Sequence, residues 1–304
     1  MPAGGATECN DGMPTSDVSA LVDRRAALLA DRDPDTRADL DAVTAELREA
    51  LDGRSPRVRR VTADEPGDLV ERLAAGEPVH PVQGPEDLAD RLDDDRRCFV
   101  LEHPLLPGRP LNVVWVALWQ GVPGDLAAVL DPAAPTADPR AADTAAFYSI
   151  WNVEPGLVGL PGGRALLGGV VEQLREELPR LHTFVTLSPV PGFRRWLQDD
   201  QQAEQLAEPV EQPDELLRAC ARYLTTLGDD GRPIDPVARF HLGNGARLLD
   251  IVGGADRSER GMDRSFGVMA NYRYEPEDRA ENAAALRHGR PALGDSVLAL
   301  LART

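Results

Sequence analysis

One stretch of the chain constrains the fold more than any other, because it places a helical pattern between two apolar runs. The first run reads AAFYSIWNV, a glycine-rich loop GLVGLPGG follows, and the second run reads LHTFVTL. The spacing between them predicts a helix over Arg164 to Leu178 and a buried strand on each side. Strands that alternate with a helix are typical of an α/β sheet. We therefore expect an α/β (α+β) fold.

The flanking sequence adds further elements. Two runs, RCFVLEH and LNVVWVALW, are separated by PLLPGRP and predict two antiparallel strands. Short helices are predicted at DEPGDLVERLAAG and GPEDLADRLDDD before them, and a helix over residues 214–227, a strand near GVMANYRY and a helix over 294–302 after them. Residues 1–16 read as a flexible tail, residues 17–56 as a short helical region of two helices that should dock on the rest, and residues 57–304 as the main domain.

Composition excludes several classes of function. The chain has 304 residues with 42% hydrophobic content, enough for a substantial core. Its formal net charge of −18 argues against nucleic acid as a partner, since such binders need a basic surface. Every basic residue is Arg, so a Schiff-base lysine, a pyridoxal phosphate anchor and a biotinylated lysine are excluded.

The cysteines and the apolar runs bear on location. Cys9, Cys98 and Cys220 are odd in number and lack CxxC spacing, which fits a reducing compartment and argues against a zinc site. No run approaches the roughly 20 apolar residues of a membrane span, and the N-terminus lacks the pattern of a signal peptide. We expect a cytoplasmic protein with no membrane association and no metal site.

Four motifs carry residues that could perform chemistry. The glycine loop, with Gly156, Gly159, Gly162, Gly163 and then Arg164, is suited to a phosphate at a helix N-terminus, although a ligand-free tight turn would have the same residues. It does not reproduce the dinucleotide fingerprint G-x-G-x-x-G.

The other three motifs hold a hydroxyl, an imidazole and two phenols. Ser188 ends an apolar run and precedes Pro, so a stiff backbone would aim its hydroxyl, unless it is only a turn residue. His241, in RFHLGNGA, is a proton carrier in an apolar setting or a core histidine. Tyr272 and Tyr274 share one side of an extended strand, where they either face a site or pack.

Several of these motifs together resemble one family. The segments TFVTLSPVPGFRRWL, DPVARFHLGNGA, AAFYSIWNVEPGLVGLPGG and MANYRY are similar to segments of the malonyl-CoA decarboxylase family. RRVTADEPGDLVERL, EPVHPV and RRCFVLEHPLLPGRPL resemble the same family, so the similarity runs from about Arg57 to the C-terminus.

The resemblance implies a fold, an activity and a set of site residues. The fold is a GNAT acyltransferase-like mixed sheet flanked by helices and preceded by a helical N-terminal region. The activity is decarboxylation of malonyl-CoA or a related malonyl-type thioester to the acetyl-type thioester and CO₂. No cofactor is implied beyond the coenzyme A of the substrate. By matching motifs, the catalytic residues fall on Ser188, His241, Tyr274 and Ser149, and the loop from Gly156 to Gly163 corresponds to the segment that cradles the coenzyme A pyrophosphate.

The chain departs from the family pattern in places. Trp115, Trp151 and the pair Gly253 and Gly254 stand where the family usually has other residues. Two interpretations stay open: these residues change which acyl group or carrier is accepted, or they are sequence drift without effect on specificity. The short helical region leaves the homo-oligomer open. Two alternatives also stay open: a GNAT-like acyltransferase that uses acyl-CoA or an acyl carrier protein, and a non-catalytic homologue that only binds an acyl thioester or a protein.

Overall fold

The computed structural model describes residues 15–31, 33–65, 67–160, 162–199 and 213–302. Its helices are α1 (Thr15–Ala30), α2 (Arg37–Asp52), α3 (Gly67–Ala75), α4 (Pro85–Asp90), α5 (Leu126–Val129), α6 (Gly163–Glu177), α7 (Phe193–Asp199), α8 (Pro213–Thr225), α9 (Pro236–Gly243), α10 (Glu259–Ser265), α11 (Arg279–Arg287) and α12 (Asp295–Ala302). Its strands are β1 (Arg57–Val61), β2 (Arg96–Glu102), β3 (Asn112–Trp119), β4 (Thr144–Asn152), β5 (Thr183–Thr186), β6 (Ser188–Pro189), β7 (Arg247–Val252) and β8 (Met269–Arg273).

All eight of these strands belong to one mixed sheet, in the order β1-β2-β3-β4-β5-β8-β6, with β7 also paired to β8. The strands β1 to β4 are antiparallel neighbours, β4 and β5 are parallel, and β8 runs antiparallel to its partners. The helix α6 makes the crossover between β4 and β5, as a parallel pair requires. The expected mixed sheet flanked by helices is confirmed.

The parallel pair opens at one end. The strand β4 pairs with β5 only from Thr144 to Phe147, yet it continues to Asn152. Beyond β5 the chain changes partner, and Ser188 pairs with Ala270 of β8. The two strands therefore part after Phe147, and the gap between them is where the candidate site lies.

Side chains on both faces of the central strands are buried. Along β3, Val114 and Val116 face the core under α6, whereas Val113 and Trp115 face a second core under α3. The alternation follows from the period of two in a strand. Burial on both sides explains why β2, β3 and β4 read as nearly continuous apolar runs.

The helical hairpin, α1 and α2, docks on this sheet. Asp33 caps the short 3-10 turn Pro34–Thr36, which joins the two helices. Val22 of α1 and Leu47 of α2 are fully buried and belong to the same core as α6. The predicted docking of two small helices is thus observed.

Some elements differ from the expectations. Strand β1 was not predicted, since its sequence RVRRV carries charge rather than an apolar alternation. It is an edge strand whose Arg57 and Arg59 pair with Glu102 of β2, and edge strands tolerate such charges. The elements that were also not predicted are helices α5, α7, α9, α10 and α11 and strands β6 and β7. Most of the predicted tail lies outside the described residues, and α1 already begins at Thr15. None of the helices in the described ranges is long and apolar enough to cross a membrane.

Candidate active site

The helix α9 delivers His241 to the gap between β4 and β5. It begins after Asp235, whose Oδ1 accepts hydrogen bonds from the N–H groups of Val237 at 2.9 Å and Ala238 at 2.8 Å. Pro236 occupies the first turn, where a missing N–H costs nothing. His241 lies in the last turn with 4% of its surface exposed. The DP motif thus fixes where the imidazole enters the core.

Ser188, His241 and Tyr274 form one hydrogen-bonded chain. Nε2 of His241 is 3.1 Å from Oγ of Ser188, and its Nδ1 is 2.8 Å from the hydroxyl of Tyr274. The Ser188 hydroxyl also donates to Oγ1 of Thr186 at 2.8 Å. With that hydrogen engaged, Ser188 accepts from Nε2–H, and Nδ1 accepts from the phenol. The surroundings therefore select the Nε2–H tautomer of a neutral imidazole.

The ring of His241 is enclosed by aromatic side chains. Tyr272 stacks on it with 4.6 Å between ring centroids and an interplanar angle of 24°, and Phe240 meets it edge-on at 5.0 Å. Burial lowers the pKa of His241 to about 3 and raises the pKa of the Tyr274 phenol. The His241 imidazole and the Tyr274 phenol are consequently uncharged near neutral pH. Tyr272 and Tyr274 both contact the His241 ring, so they lie on one side of the strand, as the sequence predicted.

Ser149 lies on β4 and is bound to a residue that sequence reasoning missed. Its Oγ donates to Oε1 of Glu77 at 2.7 Å, across 72 residues of sequence. The same oxygen accepts from the N–H groups of Val79 and His80. Oε2 of Glu77 is buried and has no partner among the described residues, and burial raises the pKa of this carboxyl. A single glutamate in an acidic chain gives no sequence signal for such a role.

A pocket of about 230 Å³ connects these groups. Ser149, Ser188 and His241 line it together with apolar side chains that include Phe147 and Phe240. Tyr274 is not part of the lining and supports His241 from behind. The pocket is therefore mostly apolar with a few polar atoms directed into it, as is typical of small-molecule sites.

The tryptophans that depart from the family pattern have different positions. Trp151 lines the pocket, and Trp115 stacks behind it with ring centroids 6.4 Å apart. Gly253 and Gly254 form a turn after β7 and are not among the residues that line the pocket. Of these four residues, only Trp151 lines the pocket.

Three glycines of the glycine loop, Gly156, Gly162 and Gly163, pack closely on their neighbours. A Cβ at Gly163 would collide with the ring of Phe240, and one at Gly162 with the amide of Asn112. Gly159 has a φ of +75°, which requires glycine, and open space around it. Arg164 is exposed in the first turn of α6 and lines two surface pockets. The predicted contacts of Gly156, Gly159, Gly162, Gly163 and Arg164 with coenzyme A stay predictions.

The chemistry of the site is that of uncharged hydrogen-bond donors around an apolar pocket. Ser188 and His241 can donate to a developing negative charge, and the imidazole can carry a proton. The residues that the structure describes contain no group of three or more His, Cys, Asp or Glu side chains arranged for a metal ion.

Comparison with known proteins identifies relatives of the whole fold. The family model described as the malonyl-CoA decarboxylase C-terminal domain matches residues 57–217 and 205–303. Among solved structures, malonyl-CoA decarboxylase from Rhodopseudomonas palustris is 36% identical with a TM-score of 0.86, covering 92% of this chain and 75% of that one. The enzyme from Agrobacterium vitis is 39% identical with a TM-score of 0.83, covering 95% and 77%.

Curated relatives point the same way. The mitochondrial malonyl-CoA decarboxylase of Anser anser anser is 33% identical over 273 residues, 75% of this chain and 54% of that protein. The Rattus norvegicus protein of the same name is 31% identical over 269 residues, 74% and 55%. The chain spans about half the length of the curated relatives it matches. The family model and these relatives cover most of the chain, including the sheet, the pocket and the residues around His241. The chain therefore belongs to the malonyl-CoA decarboxylase family.

Proposed function

We propose that this protein decarboxylates malonyl-CoA, or a related malonyl-type thioester, to the acetyl-type thioester and CO₂. The observation that carries the proposal is the buried chain of Ser188, His241 and Tyr274 at the wall of the pocket between β4 and β5. The names of the related enzymes agree with this reaction. Decarboxylation needs no second molecule that accepts an acyl group, and the related enzymes are named decarboxylases. We therefore prefer decarboxylation to acyl transfer.

The reaction divides into loss of CO₂ and protonation of carbon. Breaking the bond to the carboxylate leaves its electron pair on the acyl fragment as an enolate, whose charge rests on the thioester oxygen. In the proposal, Ser188 turns its hydroxyl from Thr186 to the substrate carboxylate and orients it. The pocket separates that carboxylate from water, which favours its loss as neutral CO₂.

His241 supplies the proton in this scheme. The incoming carboxylate brings negative charge next to the imidazole and raises its pKa, so a proton is taken up with the substrate. The proton taken up lies on Nδ1, and Nε2 gives its own proton to the carbon from which CO₂ departs, which leaves a neutral ring with Nδ1–H. The Tyr274 hydroxyl accepts from Nδ1–H in both of these states, and it donates to Nδ1 again once Nε2 has regained a proton from water and Nδ1 has lost one. Ser149, held by Glu77, lines the same pocket and contacts the acyl end of the substrate.

Coenzyme A is proposed as the carrier, with no cofactor beyond it. The loop that leads into α6 and the exposed Arg164 offer backbone N–H groups, a helix dipole and a guanidinium to a pyrophosphate. In this arrangement residues 57–304 form the catalytic domain, and residues 17–56 form a helical region. A cytoplasmic location is also proposed, and the free buried thiols of Cys98 and Cys220 fit a reducing compartment. The homo-oligomer and an acyl carrier protein as substrate stay open proposals.

The test is turnover of malonyl-CoA without any acceptor, followed as release of CO₂ and acetyl-CoA by mass spectrometry. Ser188→Ala and His241→Ala are each expected to lower kcat by about 10²–10³, the usual cost of removing one donor to a developing oxyanion. His288→Ala, at an exposed histidine, is the control and should turn over like the wild type. Near-full turnover by both site variants would contradict the assignment. Screening methylmalonyl and larger thioesters in the same assay identifies the acyl group.

A further inference from the structure

Arg25 of α1 reaches from the helical hairpin to the glycine loop. Its NH1 donates to the carbonyl of Gly156 at 2.7 Å and its NH2 to the carbonyl of Val158 at 2.9 Å. Its Nε donates to Oγ1 of Thr44 on α2 at 2.8 Å. One side chain thus joins both helices of the hairpin to two carbonyls of the loop, across 131 and 133 residues of sequence.

The guanidinium of Arg25 binds carbonyl groups of the glycine loop rather than a carboxylate. The residue is only 6% exposed, and among the described residues no carboxylate lies within ion-pair distance. A buried guanidinium needs acceptors for its donors, and here backbone carbonyls supply them. The loop is held by charge-assisted hydrogen bonds, which are stronger than neutral ones.

Fixing these carbonyls also fixes an N–H group. The peptide unit between Val158 and Gly159 is trans, so its N–H points opposite to its C=O. Since Arg25 binds the carbonyl of Val158, the N–H of Gly159 is directed away from Arg25, and it has no acceptor among the residues described. A Cβ built on Gly159 would meet no atom within 4 Å. Arg25 therefore sets the direction of an N–H donor that has no partner within the described part of the chain.

Two further observations join the hairpin to this part of the fold. Gly156 lies so close to α1 that a Cβ there would collide with the carbonyl oxygen of Val22. In addition, a pocket of about 360 Å³ lies between α2 and the start of α6, with Arg48 and Asp52 on one side and Gly162 and Arg164 on the other. The hairpin is thus one wall of the space next to the glycine loop.

We propose that the helical hairpin is part of the coenzyme A site, and that Arg25 is the residue that positions the glycine loop for the nucleotide end of the substrate. The inference rests on the proposed function for the identity of the ligand. Arg25 acts through the loop and leaves the reacting atoms alone, so it governs affinity for coenzyme A rather than the rate of bond breaking.

The experiment measures binding of coenzyme A itself by titration calorimetry to the full chain. Arg25→Met keeps most of the apolar stem, and we expect its Kd to rise about 10- to 100-fold, the effect of losing one or two hydrogen bonds to a charged group. Arg25→Lys retains the positive charge and can still donate to one of the two carbonyls, so its Kd should lie between those of the wild type and Arg25→Met. Arg24→Met is the matched control, since it makes the same change at an exposed position of the same helix and leaves Arg25 untouched. The control should bind like the wild type.

A second measurement separates positioning from a merely structural role. Malonyl-N-acetylcysteamine lacks the nucleotide, so Arg25→Met should decarboxylate it as the wild type does, while KM for malonyl-CoA rises and kcat holds. If Arg25→Met does not fold, the two thioesters are compared in Arg25→Lys and in Thr44→Val instead. Thr44→Val removes only the hydrogen bond that Nε of Arg25 donates.

Unchanged coenzyme A affinity in the Arg25 variants, or equal losses with both thioesters, overturns the inference, as does a wild type that does not bind coenzyme A. A wild type that binds coenzyme A but releases no CO₂ from malonyl-CoA contradicts the proposed function alone, and the calorimetry then decides the inference.

Discussion

At the scale of single residues, the site depends on how each hydrogen bond limits the next. Thr186 accepts from Ser188 and from the N–H of Tyr272, which leaves the Ser188 oxygen to accept from His241. Tyr274 completes the series at the other ring nitrogen. The imidazole is therefore oriented before any substrate enters.

The buried neutral state of His241 has a consequence for stability. The pKa of this ring is about 3 in the folded protein, against 6.5 for an ordinary histidine. Between those values the unfolded chain holds one proton more than the folded chain, so the free energy of unfolding falls as pH falls. The expected slope from this residue is about 1.4 kcal/mol per pH unit.

Urea unfolding of the wild type and His241→Asn at pH 6.5, 5.5 and 4.5 tests this. The variant should lose stability less steeply with falling pH, by about one proton. His288→Asn, at an exposed histidine, should keep the slope of the wild type. Equal slopes for the wild type and His241→Asn would show that the ring does not titrate as a buried neutral group.

At the scale of elements, α9 is a short helix that depends on the residue that caps its N-terminus. Asp235 is fully buried and binds two N–H groups of the first turn through Oδ1, while Oδ2 accepts from the Tyr223 hydroxyl of α8 at 3.1 Å. The cap thus joins α9 to α8 as well as starting it. Since His241 lies at the other end of the same helix, the cap also determines where the imidazole sits.

Replacing the cap should affect both stability and turnover. Asp235→Ala removes the acceptor for two N–H groups and is expected to cost about 1–2 kcal/mol of unfolding free energy, with a several-fold lower kcat because His241 shifts. Asp235→Asn keeps Oδ1 and should retain most of both. Denaturant unfolding and malonyl-CoA turnover of the two variants are the measurements. An Asn variant as impaired as the Ala variant would show that the carboxylate charge, rather than the cap, matters.

At the scale of the whole molecule, the hairpin and the sheet share one core. Val18 and Val22 of α1 are fully buried in the cluster that also contains residues of α6 and of the central strands. Outside that core, Arg109 binds Glu154, Asp23 and the carbonyl of Ser19, which ties the start of the glycine loop to α1. The hairpin is therefore integrated with the sheet and its helices.

A shared core predicts one unfolding transition. Val22→Ala removes two buried methyl groups and is expected to cost about 2 kcal/mol. Far-UV circular dichroism reports the helices and tryptophan fluorescence reports the sheet, and both midpoints should move together. Leu298→Ala, at an exposed position of α12, is a control that should change little. Separate transitions for the two signals would indicate that the hairpin unfolds on its own.

The sequence predicted those elements of the fold that have a local sequence pattern. The strands β2, β3, β4, β5 and β8 and the helices α1, α2, α6 and α8 follow from apolar periodicity and from glycine and proline signals, and the structure confirms them. Strand β1 escaped because an edge strand needs no apolar alternation. The helical position of His241 escaped because α9 is short and ends in glycine.

The sequence by itself determined which elements form and which residues are chemically able to act. Ser188 before a proline, a histidine in an apolar setting and a glycine loop before a helix are local features, and local features fix backbone conformation. Only the tertiary structure decided that Glu77 holds Ser149, that Tyr274 binds Nδ1 and that Arg25 holds the glycine loop. Each of these contacts joins residues 33 to 133 positions apart, and burial of the surrounding apolar surface, rather than any local pattern, brings them together.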